Sequence, residues 1–168
     1  GIDYLPLGTD KPVSAFLGEN GAGKTTLAIA LIYALLPDRK VLNVRPISDI
    51  KDSSAQRQDS LMGRIDPELG YAYVAMDIQT RTGTRLVAGI NLLIHNHRLH
   101  ITPFTVQSVP SGMDLFDLFN IPDGDQVYTP ELSELKRHAA RMGLDCHSYE
   151  NDHGQYYKAL HDAGILPT

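Results

Sequence analysis

The apolar and polar positions of this chain fall into three successive patterns. Pro12-Val-Ser-Ala-Phe-Leu17 is a short apolar run ending at a glycine, which predicts a buried strand. Thr26–Leu36 is apolar nearly all round and long enough for a helix, and Pro37 stops it. A helix with so little polar face is expected between layers. Val41–Val44 reads as a second short strand, and residues 46–67 as a long polar surface loop.

The period then changes to two. Ala72, Val74, Met76 and Ile78 alternate with Tyr73, Asp77 and Gln79. After the turn Arg81–Thr84, Leu86, Ala88, Ile90, Leu92 and Ile94 alternate again. A polar tip at His95–Arg98 leads into Leu99–Val106. Three such runs joined by short turns predict an antiparallel meander with one face packed and one face wet. The remainder reads as helical. Asp114–Phe119 is a short amphipathic piece, and Thr129-Pro130-Glu131 supplies an N-cap, an N1 proline and a first-turn acid. Gly143 closes that helix, and a last one is expected from about His153 to Ala163.

Composition narrows the class. The 168 residues suit one domain, and 42% hydrophobic with 21% charged residues is a globular balance. A formal net charge of −5 gives no global attraction to nucleic acid. The single cysteine, Cys146, excludes an internal disulfide framework and suits a reducing cytoplasm. No apolar run approaches the roughly 18 residues of a membrane helix. Because it opens on Gly1 and not Met, the chain is expected to be a piece of a longer protein.

Chemistry enters at Gly18-Glu19-Asn20-Gly21-Ala22-Gly23-Lys24-Thr25, which matches G-x-x-x-x-G-K-[ST] between an expected strand and an expected helix. Glycines there let several backbone N–H groups surround one phosphate, and the helix N-terminus adds partial positive charge. Lys24 is expected on the β- and γ-phosphates of ATP, the Thr25 hydroxyl on Mg²⁺, and Thr26 on the α-phosphate. The hydrolytic half of such a site is not written here. Asp77 is the one candidate second acid, but Ile78 follows it where an Asp-Glu pair is required, and Glu131-Leu-Ser-Glu134 lacks the glycines of a signature motif.

A Walker A loop spelled with Asn20-Gly21 and Thr25-Thr26, without its hydrolytic partners, resembles the N-terminal head segment of SMC-type ATPases. Within them it is most similar to the MukB-like group, including the MksB and JetC types. Ala34–Asp38, Val44-Arg45, Arg57–Ile65, the meander from Tyr71, Ile101–Phe104 with Gln107, and Asp162–Ile165 follow that group in order and spacing. Glu19 and Thr25 depart from the Gly and Ser found there. The resemblance implies an α/β P-loop NTPase fold of the ABC/SMC type. A mixed sheet would surround the P-loop helix, with the meander and C-terminal helices appended. Residues 1–168 would form a single domain, the N-terminal lobe of a split head.

It further implies a homodimer of full-length chains and a C-terminal lobe that supplies the Walker B strand and the signature. A kleisin and winged-helix subunits would be partners, with DNA bound by the whole protein in the cytoplasm at the nucleoid. Chromosome condensation or segregation, or plasmid defence, would be the task. The chain alone is then expected to bind ATP and Mg²⁺ without hydrolysing it.

Two rival readings stay open: a free-standing P-loop kinase or GTPase using Asp77 for Mg²⁺, and a nucleotide-gated binding module that never hydrolyses. Several single residues have a sharp and a bland reading. Arg45 is a candidate nucleotide or DNA contact, weighed evenly against a solvated arginine. Gln155, and more weakly Gln107, is a candidate Q-loop glutamine, with a plain surface glutamine preferred. His95, His97 and His100 suggest a metal only weakly, since strand geometry puts His95 and His97 on one face and His100 on the other. Arg57, Arg64, Arg81, Arg85 and Arg98 could face DNA, though nearby Asp52, Asp59 and Asp66 favour a solvated surface.

Overall fold

The computed structural model describes residues 24–37, 65–79 and 83–165. The strands expected at Pro12–Leu17 and Val41–Val44, and most of the 46–67 loop, lie outside the described residues. Helix α1 spans Lys24–Leu35. Strands β1 (Tyr71–Gln79), β2 (Arg85–His95) and β3 (Arg98–Gln107) follow. Then come α2 (Leu115–Phe119), the short strands β4 (Ile121–Asp123) and β5 (Gln126–Tyr128), and α3 (Leu132–Arg141). Strand β6 (Asp145–Ser148) and helix α4 (His153–Asp162) complete the order. The main sheet is antiparallel in the order β1-β2-β3-β6, and β4 pairs with β5 apart from it.

The meander forms as its period predicts, with Tyr71 opposite Leu93, Gln79 opposite Arg85, and His95 opposite Arg98. Its faces differ from expectation, because neither face is wet along the centre. Leu86–Leu92 of β2 are buried without a break. On one face Val87, Phe104 and Val106 pack under Leu115, Leu118, Phe119, Leu135 and Ala139 of α2 and α3. On the other, Ile90 and Leu92 meet Tyr33 of α1, while Leu86 and Ala88 meet Tyr156 and Leu160 of α4. Helices therefore cover both sides of the sheet along β2, and the β2–β3 tip stands exposed.

Polar residues along the centre of these strands are satisfied inside the protein. The Tyr73 ring stacks edge-on to Phe104 at 5.8 Å, and its hydroxyl donates to the Pro130 carbonyl at 2.8 Å. Asn91, buried in β2, donates to the Ala72 carbonyl, and buried Thr105 shares a 2.9 Å hydrogen bond with the Tyr149 hydroxyl. Among the described residues no buried side-chain nitrogen or oxygen lacks a partner. Burial of such groups is tolerable on that condition.

Three further expectations are corrected. Helix α3 starts at Leu132 with Glu131 at its N-cap, so Thr129 and Pro130 stand outside it. Their carbonyls instead accept from the Tyr71 and Tyr73 hydroxyls, which holds that segment against β1. Helix α1 is not enclosed all round: Ala30, Tyr33 and Ala34 are buried, while Ile32 and Leu36 are exposed. The two-residue turn Asn96-His97, with φ of 50° and 59°, takes His97 off the strand. That turn resets the parity, so His95 and His100 share a face with ring centroids 6.2 Å apart. Gly143 and Gly164, both at positive φ, end α3 and α4 as expected.

Gly89 marks the tightest point of the sheet. A Cβ there would lie 2.8 Å from the Ala75 Cα and closer still to the Val74 carbonyl oxygen, so the β1 backbone leaves no room for a side chain. Both obstacles are backbone, which cannot turn aside as a flexible side chain can. Gly89→Ala is expected to destabilise the fold by about 1–3 kcal/mol, in the range of overpacked cores. Urea unfolding of the two proteins measures it, and equal midpoints would show that β1 gives way freely.

Candidate functional site

The candidate site is the N-terminal end of α1. Helix α1 spans Lys24–Leu35, and Lys24 directly follows the glycine-rich stretch in sequence. Gly18–Gly23 themselves, and Arg45, lie outside the described residues. Lys24, Thr25 and Thr26 occupy the first turn, where backbone N–H groups have no intrahelical acceptor and the helix dipole is positive. No acidic side chain stands in that turn to neutralise it. A helix start of this kind is a general setting for an anion.

The other end of α1 is anchored on the sheet. Tyr33 is sealed against Ile65, Ile90 and Leu92. The Tyr156 hydroxyl of α4 donates to the Ala34 carbonyl, a buried bond between residues 122 apart in sequence. Nothing local in the sequence announces that bond, because its acceptor is a backbone carbonyl on a remote helix.

The remaining candidates are scattered. Gln155 is exposed in the first turn of α4, where its backbone N–H is capped by Asp152 at 3.0 Å. Its neighbour Tyr156 meets α1 at Ala34, ten residues or roughly 15 Å along the axis from Lys24. Gln107 is exposed at the end of β3, opposite Asp145. Among the described residues no three His, Cys, Asp or Glu side chains come together as a metal site, and His95, His97 and His100 stay exposed at the hairpin tip. Arg57, Arg64 and Arg81 lie outside the described residues, and Arg98 is exposed at the tip. Cys146 is mostly enclosed, and burial pushes its thiol up to about 11, opposed only by Lys136, so it is a poor nucleophile at neutral pH.

Comparison with known proteins decides the relationship. The family model described as MukB N-terminal matches residues 2–168. The chain belongs to the MukB N-terminal family. It is 27% identical over 161 residues to the Chromosome partition protein MukB of Haemophilus ducreyi, covering 94% of this chain and 10% of that protein. It is 29% identical over 163 residues to the proteins of the same name from two strains of Vibrio vulnificus, covering 94% of this chain and 11% of each. The chain thus spans about a tenth of the length of the relatives it matches. The MukB-like resemblance read from scattered short segments is a family membership. No helix among the described residues is long and apolar enough to cross a membrane.

Asp77, the second acid of the kinase-like alternative, has a different employment in this MukB-family chain. Both its carboxylate oxygens accept from Arg85 at 2.8 Å, one from Nε and one from a terminal nitrogen. The pair is largely enclosed, with the side chains 10% and 18% exposed for Arg85 and Asp77. The same guanidinium donates to the carbonyls of Pro110 and Met113 at 2.7 Å, tying the 108–113 loop to β1. Arg85 is accordingly a structural clamp and not part of a DNA-facing surface. Asp77→Asn is expected to cost about 1.5–3 kcal/mol of stability, the scale of charge-assisted hydrogen bonds, and to leave ATP affinity unchanged. Thermal unfolding with calorimetry on the full-length protein checks both. Lost affinity at unchanged stability would return Asp77 to the metal role.

Proposed function

We propose that this chain is the N-terminal lobe of a split SMC-type ATPase head that binds ATP with Mg²⁺ at Gly18–Thr26. The observation that carries the reading is a complete P-loop sequence leading straight into α1 at Lys24, in a member of the MukB N-terminal family. In this reading the loop amides from Gly18, Glu19, Asn20, Gly21, Ala22 and Gly23 and the first turn of α1 cradle the phosphates. Lys24 supplies a point charge, Thr25 a metal ligand, and Thr26 a further hydroxyl. Arg45 remains a candidate contact; the exposed position of Gln155, beside the far end of α1, gives it no support as a nucleotide sensor.

The relatives are about ten times longer than this chain, which supports a parent protein that carries the hydrolytic motifs elsewhere. That parent would act in chromosome partition, as its relatives are named, with plasmid defence the less supported task. It would be a homodimer whose second head completes each ATP site, working with a kleisin, winged-helix subunits and DNA at the nucleoid. With its net charge of −5, this lobe alone contributes little to DNA affinity at physiological salt.

Lys24→Ala in the full-length protein is the direct test. Removing a charge-assisted contact of about 1.5–3 kcal/mol is expected to weaken Mg-ATP binding roughly ten- to hundred-fold in calorimetry. The same affinity in wild type and variant would overturn the assignment.

A further inference from the structure

The 24–35 helix has a problem at its C-terminal end. Its last four carbonyls have no donor within the helix, and Leu36 N–H, just beyond it, donates to the Ile32 carbonyl at 2.8 Å. Pro37 has no N–H, so the chain cannot continue the ladder to Tyr33. Ala34 is buried, and a buried carbonyl without a donor is costly. Among the described residues a donor reaches it from α4: the phenol of Tyr156, fully buried between Leu86, Ala88 and Leu160.

Tyr156 is itself held in place. Its ring lies 5.5 Å from that of Tyr149. Tyr149 is rooted in β3 twice, through its hydroxyl on Thr105 and its backbone N–H on the Pro103 carbonyl at 2.9 Å. Burial and the neighbouring Tyr149 and Tyr157 hold the Tyr156 hydroxyl above its ordinary range, so it remains a donor at every physiological pH. The sheet therefore reaches α1 through a chain of three aromatic and hydroxyl contacts that ends on one carbonyl.

We infer that Tyr156 is a positioning residue of the nucleotide site, fixing the axial and rotational placement of α1 from the end opposite to the phosphate loop. A twelve-residue helix is a rigid rod about 18 Å long, so a shift at Ala34 is carried to Lys24 undiminished. Phosphate recognition by backbone N–H groups tolerates displacements of only about 0.5 Å. This inference rests on reading Gly18–Thr26 as the nucleotide loop.

The test is Tyr156→Phe in the full-length protein, which keeps the ring and deletes the hydroxyl. Mg-ATP affinity by calorimetry is expected to fall roughly two- to tenfold. By linkage, ATP should raise the melting midpoint of the variant less than that of wild type. Leu160→Val is the control, since it loosens the same α4 cluster without removing the bond to α1; it should lower the midpoint and leave affinity unchanged. Two outcomes overturn the inference alone: wild type and Tyr156→Phe binding ATP equally, or Leu160→Val losing affinity as Tyr156→Phe does. A wild-type protein that binds no ATP removes the nucleotide reading and this inference together, and is recognised by the wild-type trace.

Discussion

Strand β2 is covered on both faces from Leu86 to Leu92, and that two-sided burial constrains most of what surrounds it. A strand so placed needs a helix layer above and below, and the chain supplies them from distant positions. Helices α2 and α3 close one face, α1 and α4 the other. Each large apolar side chain fully buried there contributes about 1.5–3 kcal/mol. Helix α1 has little local reason to lie where it does, since no acid caps its start and Pro37 truncates its end. Its place is set by Tyr33 against the sheet and by the Tyr156 hydroxyl. The placement of α1 is therefore a property of the sheet core.

The same constraint explains where the polar residues went. Asn91, Thr105, Tyr73 and the Asp77–Arg85 pair sit on strands that have no wet face along their centre, and each is satisfied by a partner within the protein. Such groups fix register more than they add stability, because a one-residue slip would strand all of them unpaired. Arg85 extends the effect by holding the 108–113 loop, from which α2 departs.

Much of this was legible in the order of residues. Alternation in 72–106 identified three antiparallel strands, and Gly143, Gly164 and Pro37 marked helix ends correctly. The wet face was misread because period two reports alternation of character, not of exposure. Tyr73 and Asn91 look polar yet are buried or half-buried, with their hydrogen bonds made inside. Strand β6 and the β4–β5 pair gave no signal, being three or four residues long and set between glycines and helices. The histidine faces were misassigned because a two-residue turn without glycine, Asn96-His97, changes parity where a continuous strand was assumed. In the candidate site, the proposed phosphate loop rests on sequence, where its motif is local and contiguous. Tyr156 was not legible there, since its role depends on a carbonyl 122 residues away.

Family membership, the P-loop sequence and the helix that follows it support the central proposal, that nucleotide is held at residues 18–26 ahead of a helix anchored at its other end. Amide hydrogen exchange of the full-length protein with and without Mg-ATP addresses it most directly. The account predicts that ATP slows exchange at Gly18–Thr26 and along the first turn of α1. Nucleotide-dependent protection that spares those amides and appears elsewhere, around Asp77 for example, would contradict it.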